Sequence, residues 1–156
     1  MKLRHVMNRR VAAVAANTPL REAARQMSAQ DVPVLPVCDG LTLVGLITPR
    51  DLIVRATGQG CDPRTGTVRE VMTREVICGR DDQDVNEAAS LMQRRRLARL
   101  PVVNRQQHLV GIVSLNDLRG YVGVVAWVAP GPSPTHRART TRADGRHKFS
   151  RERKGR

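Results

Sequence analysis

Apolar and polar positions along this 156-residue chain fall into two passes of one pattern. A short apolar run, Val11 to Ala16, ends at Asn17-Thr18-Pro19, which predicts a helix start with Thr18 as N-cap and Pro19 at the first helical position. Leu20, Ala23, Ala24 and Met27 follow at helical spacing and predict one buried stripe. Val34 to Val37 reads as a short strand and Asp39-Gly40 as a turn. The nearly continuous apolar run Thr42 to Ile47 predicts a strand covered on both faces. Thr48-Pro49 then opens a second helix running toward Ala56. In the second pass, Val76 and Ile77 mark the first strand and Val85 to Arg96 the helix. Leu100 to Val103 and Leu109 to Ser114 are the next two strands, and Leu115 to about Tyr121 begins the last helix. The turn-rich stretch 58–66 reads as the connecting loop.

The two passes also agree in residue identity. Gly45-Leu46-Ile47-Thr48-Pro49-Arg50-Asp51-Leu52 returns as Gly111-Ile112-Val113-Ser114-Leu115-Asn116-Asp117-Leu118. Leu35-Pro36-Val37 returns as Leu100-Pro101-Val102, and Val6-Met7 as Val71-Met72. The offset is 65 up to Val37 and 66 from Gly45 onward, so one residue has entered between Val102 and Gly111. A repeat of this length predicts an α/β (α+β) fold of two tandem β-α-β-β-α units packed with pseudo-two-fold symmetry. The expected division is 1–60 for the first repeat, 61–129 for the linker and second repeat, and 130–156 for a tail.

Composition refines this picture. One Trp, one Tyr and one Phe leave an aliphatic core and argue against base-stacking recognition of nucleic acid. The net charge of +13 is unevenly spread, since residues 130–156 carry nine Lys or Arg against two acids. That segment starts with Pro130-Gly131-Pro132-Ser133-Pro134 and lacks apolar periodicity, which predicts disorder. Three cysteines without paired ligand spacing predict reduced thiols in a cytoplasmic protein and no metal site. The N-terminus MKLRHVMNRR has no apolar stretch behind its charges, so no signal peptide is expected. The apolar run Val122 to Ala129 is far shorter than the roughly 20 residues of a bilayer span, so no membrane association is expected.

The candidate chemistry lies where each repeat's last strand turns into its last helix. Thr48 and Asp51, and their twins Ser114 and Asp117, place a hydroxyl and a carboxylate three residues apart, with Arg50 and Asn116 inside the turns. Exposed amides at such a turn can receive a phosphate, and an ionised Asp can accept two hydrogen bonds from a ribose diol. The same spacing is also a capping-box variant, which would only satisfy helix-end amides. The residues alone leave both readings open.

These motifs, with Leu-Pro-Val one strand earlier and an Ala-Ala-x-x-Met helix before that, resemble the CBS domain, and the tandem arrangement resembles a Bateman module over about Val6 to Tyr121. Asp51 to Ala56 and Gly60-Cys61-Asp62-Pro63 further resemble small stand-alone bacterial proteins of the hypoxic response type. The resemblance implies a regulatory module that binds an adenosine-containing ligand such as AMP, ATP or S-adenosylmethionine, with no required cofactor. It assigns ribose contacts to Asp51 and Asp117, and ribose or phosphate contacts to Thr48 and Ser114. It also implies an adenine slot in which Ala12, Val32 and Pro33 face Ser114 and Asp117, while Ile77, Leu97 and Ala98 face Thr48 and Asp51. A homodimer is implied, with an effector protein acted on in trans.

Other features of the chain fit that reading less directly. Arg94-Arg95-Arg96 and Arg99 suit either a solvated helix end or an anion patch at a pocket mouth. Met27 and Met92 read as core, the four histidines are scattered, and Trp127 is expected to pack on the module or its dimer mate. The alternative function is a dimerisation scaffold whose basic tail binds nucleic acid or the ribosome. An enzyme is not expected, because no nucleophile–base pair and no Walker or Rossmann loop is present in the sequence.

Overall fold

A computed structural model describes residues 1–122. In chain order these form a 3-10 turn (Leu3–His5), β1 (Val14–Ala15), α1 (Leu20–Gln30), β2 (Leu35–Asp39), β3 (Thr42–Ile47) and a π-helical turn (Asp51–Ala56). There follow α2 (Val68–Val71), β4 (Gly79–Arg80), α3 (Val85–Arg94), β5 (Arg99–Val103), β6 (Leu109–Ser114) and α4 (Leu115–Leu118). Each repeat makes a three-stranded sheet, β1-β2-β3 or β4-β5-β6, with a parallel first pair and an antiparallel second pair. The fold is α/β, with two packed β-α-β-β-α repeats. The tail 130–156 and Trp127 lie outside the described residues.

Backbone hydrogen bonds show how closely the halves repeat, and where they cross over. Val68 N donates to Thr18 O, Arg69 N to Ala16 O, and Leu20 N to Gly66 O. The same three bonds recur as Leu3 N to Gln83 O, Arg4 N to Asp81 O, and Val85 N to Met1 O. The segment opening the chain therefore packs on the second repeat, and the segment following the linker packs on the first. Leu3 is fully buried among Val85, Ala88, Met92, Leu100 and Leu118. Val68, Val71 and Met72 are buried among Leu20, Leu35, Val37 and Ile47. Each exchanged segment then closes the free edge of its sheet. Leu46 and Thr73 exchange two backbone hydrogen bonds of 2.9 Å, and Asn8 and Ile112 do the same.

The repeated glycine makes that edge closure fit. A Cβ on Gly45 would stand 3.0 Å from the Thr73 carbonyl oxygen and 2.7 Å from Met72 Sδ. Gly111 is pressed in the same way by Met7. The two repeats also meet at Thr42 and His108, where Leu43 N donates to Gln107 O and Leu109 N to Leu41 O. Thr42 and His108 are equivalent positions, so this bridge lies on the pseudo-two-fold axis. The inserted residue is absorbed in the neighbouring loop, where Gln107 adopts φ 64 and Asn104 Oδ1 accepts from the amides of Gln106 and His108.

Several elements differ from their sequence-based expectation. The first strands are only Val14–Ala15 and Gly79–Arg80, shorter than Val11 to Ala16 and later than Val76-Ile77. Pro36 and Pro101 account for this. Leu46 and Ile112 spend their amides on the exchanged segments, so their cross-strand partners Pro36 and Pro101 face the first strands, where they have no N–H to give. The N-cap of α1 is Pro19 rather than Thr18, because Gly66 and Pro63 carbonyls already accept from the amides of Leu20 and Arg21. Ala24 is exposed although Ala89, its twin, is buried. An open apolar groove lined by Ala24, Val32, Pro49, Leu52 and Ile53 lies beside it. The helices also end earlier than expected, at Arg94 and Leu118.

Two outcomes follow from the exchanged segments. Leu3→Ala is expected to cost about 2–5 kcal/mol in urea denaturation, and to reduce amide protection in β4 to α4 more than in the adjoining first repeat. The second outcome concerns Asp84, the N-cap of α3. It accepts from the Asn86 amide, the Met1 ammonium and the Asn86 side chain, which together lower its pKa to about 2. A depressed carboxylate contributes stability above its unfolded pKa of about 3.9 and loses it as pH falls toward the folded value. The Tm difference between wild type and Asp84→Asn should be fully present at pH 5 and should shrink as pH falls from about 4 to about 2.

Candidate functional site

Both turns adopt the same polar geometry. Asp51 Oδ2 accepts from the Thr48 amide and hydroxyl, each at 2.9 Å, and the Asp51 amide donates to Thr48 Oγ1 at 3.3 Å. Asp117 Oδ2 accepts from the Ser114 amide at 2.7 Å and hydroxyl at 2.8 Å, with the Asp117 amide returning a bond of 3.3 Å to Ser114 Oγ. The capping-box interaction is therefore present in both copies. It occupies only one oxygen of each carboxylate. These bonds leave Oδ1 of Asp117 for a further partner; Oδ1 of Asp51 already faces the Arg55 guanidinium, although a carboxylate oxygen can take two donors.

The turns have little backbone left for a phosphate. At the first turn, the Thr48 and Asp51 amides are committed to the cap, Leu52 N donates to Thr48 O, and Pro49 has no N–H. At the second, the Ser114 and Asp117 amides are likewise committed, and Leu115 N donates to Ala98 O. The amides of Arg50 and Asn116, at the centre of each turn, stand outside these bonds. The cap thus narrows the backbone available to a phosphate without closing it.

The two carboxylates differ in their surroundings. Asp51 is 8% exposed and is the one buried charged residue among those described, whereas Asp117 is exposed. Arg55, one turn along the π-helical segment, brings its Nε to 3.5 Å from Asp51 Oδ1. The same guanidinium donates to Val71 O at 3.0 Å and Thr73 Oγ1 at 3.3 Å, tying the first turn to the exchanged segment. Tyr121 stands at the equivalent position of the second repeat. Arg55 was not singled out from the sequence, although its i,i+4 spacing from Asp51 is the signal that would have found it.

The remaining expected site residues group within their own repeats. The β2–β3 register pairs Leu35 with Ile47, so Val32 shares a groove with Pro49 and Leu52. Ala12 and Val32 pack on the first core, and Ile77 and Leu97 on the second. Ala98, just before Arg99, lies beside Leu115 because Arg99 pairs with Ser114. The hairpin register therefore sets Val32 beside the first turn and Ala98 beside the second, each within its own repeat. Pro33, Arg50, Ala98 and Asn116 are exposed.

Both halves of this architecture match a known family. The CBS domain accounts for residues 3–57 and again for 68–124. The chain belongs to the CBS-domain family. A CBS domain-containing protein of Bacillus subtilis, YhcV, is 39% identical over 116 residues, covering 74% of this chain and 81% of that one. Hypoxic response protein 1 of Mycobacterium tuberculosis is 31% identical over 116 residues, covering 74% and 80%. A CBS-domain pair solved with 5′-methylthioadenosine and S-adenosyl-L-methionine superposes with a TM-score of 0.64 at 28% identity, covering 76% of this chain and 96% of that one. The AMP complex of CBSX2 gives 0.66 at 25% identity, covering 75% and 92%; CBSX2 is from Arabidopsis thaliana. Among the described residues, no group of three His, Cys, Asp or Glu is placed to hold a metal ion, and no helix is long and apolar enough to cross a membrane.

The unequal carboxylates should separate in stability measurements. Asp117→Ala removes a solvated cap and should cost about 1 kcal/mol. Asp51→Ala removes a buried carboxylate together with its ion pair to Arg55 and should cost roughly 2–3 kcal/mol. Urea denaturation of both variants at neutral pH checks the order.

Proposed function

We propose that this CBS pair is a cytoplasmic regulatory module that binds an adenosine-containing ligand beside its Thr48–Asp51 and Ser114–Asp117 turns. The observation that carries the reading is the geometry of the two carboxylates. In each, the cap locks one oxygen to the turn and so aims the other, which suits a ribose diol. The apolar residues beside each turn, Val32 and Leu52 at the first and Leu97 and Leu115 at the second, offer a surface for the flat face of adenine. The solved CBS pairs with AMP and with S-adenosyl-L-methionine support the same ligand class.

The reading includes a homodimer, with the apolar face around Ile53 and Val54, 67% and 57% exposed, as the surface a second copy covers. Its output acts on an effector protein in trans, so occupancy must alter the relation between the repeats. Arg55 offers a route, because it touches both the first carboxylate and the exchanged segment at Val71 and Thr73.

Thermal melts of the full chain with AMP, ATP and S-adenosylmethionine test the proposal. A ligand at 100 times its Kd should stabilise the fold by about 2.7 kcal/mol through mass action. The double variant Asp51→Asn, Asp117→Asn should lose the Tm rise. A panel without any shift on the wild-type chain would refute the adenosine reading.

A further inference from the structure

The second turn carries a cationic cluster that the first turn lacks. Arg99 opens β5 and pairs across the hairpin with Ser114, and residues paired across antiparallel strands project from the same face. Leu100 and Val113, the next pair along, are buried in the core, so Arg99 and Ser114 project from the opposite, accessible side. Arg95 and Arg96 lead into this strand from the end of α3. Arg96 adopts φ 54, which reverses the chain so that Leu97 N returns to Met92 O and Ala98 O reaches Leu115 N. All three arginines are exposed, and none has a carboxylate within 4.0 Å among the described residues. Arg94 does not join this cluster, since it lines an outer groove with Glu87 and Leu91.

At the first turn the equivalent positions are Gln30, Asp31 and Val34. One arginine there, Arg55, is already engaged with Asp51, Val71 and Thr73, which leaves Arg50 as the exposed cation of that turn. The backbone cannot compensate at either place, because the turn amides are mostly committed to the caps. With so few amides open, a phosphate chain beside these turns depends chiefly on side chains. Unpaired guanidiniums are well matched to phosphate oxygens.

We infer that the two sites select ligands by phosphate number. The second, through Arg99 with Arg95 and Arg96, takes adenosine carrying two or three phosphates. The first takes an adenosine end that is uncharged or carries a single phosphate. This inference rests on the adenosine reading above for the nucleoside portion, and on the arginine cluster for the phosphate portion.

Calorimetric titration of the full chain with ATP, AMP and inorganic tripolyphosphate tests it. In the Asp51→Asn chain, which leaves the second site, ATP should bind about tenfold or more tighter than AMP, as expected of one or two charge-assisted hydrogen bonds. Adding Arg95→Ala and Arg99→Ala should bring the ATP-to-AMP ratio to within about threefold. The Asp117→Asn chain should show no such preference. Because Asp51 is buried, the arginine substitutions are also made in the otherwise wild-type chain, where their exposure keeps the fold intact and the tighter ATP phase alone should disappear. The basic segment 130–156 is common to every variant, so its contribution drops out of each comparison. A ratio unchanged by loss of both arginines overturns the inference and leaves the adenosine reading standing. Tripolyphosphate binding that depends on Arg99, with no nucleotide binding above it, sustains the anion site and sinks the adenosine reading. If nucleotides do not bind and tripolyphosphate ignores the arginines, both fall.

Discussion

The exchange of two short backbone segments is the constraint on which this architecture rests. Neither three-stranded sheet closes its own edge or fills its own core. Leu3 supplies a fully buried side chain to the second half, while Val68 and Val71 do the same for the first. The edge strands β3 and β6 would otherwise present free amides and carbonyls, a standing invitation to mispairing. Thr73 and Asn8 satisfy them with paired hydrogen bonds. Gly45 and Gly111 recur because the arriving segment comes too close for a Cβ. The glycine three residues before the hydroxyl is thus an assembly residue, and it sets the position of the strand that feeds each polar turn.

That placement gives the caps a second use. A capping box is ordinarily a local device that satisfies helix-end amides. Here it also immobilises a carboxylate at the end of a strand whose register is held on both sides. The structural and the binding interpretations of Thr48–Asp51 and Ser114–Asp117 therefore do not compete, since the cap uses one oxygen and orients the other. What distinguishes the copies is their charge environment. Asp51 is buried and neutralised by Arg55, whereas Asp117 is solvated beside arginines with no carboxylate partner.

Much of the fold was legible because the repeat is strict where packing is strict. β3 and β6 begin and end where the apolar runs do, and Met27 and Met92 are buried as their spacing implies. The errors arise where a residue's role depends on something distant in the chain. Val6-Met7 and Val71-Met72 are visible as a repeat, but no local periodicity tells which sheet each one joins. The first strands depart from their apolar runs because the proline that truncates each lies on a neighbouring strand. Ala24 and Ala89 look identical in sequence and differ in burial because their helix partners differ. The neighbours of the slot residues are hidden for a similar reason, as hairpin register decides which turn Val32 and Ala98 accompany.

The exchanged segments also order events at the ribosome. Residues 1–8 are synthesised well before their partners in β4, α3 and β6. The first repeat can complete its sheet as soon as residue 73 has emerged, because everything that it needs is upstream. The opening segment, with its buried Leu3, must wait unpaired through the whole of that assembly and until β6 is available. Residues 1–8 therefore find their partners late, and damage to them would register in the second repeat rather than in the first.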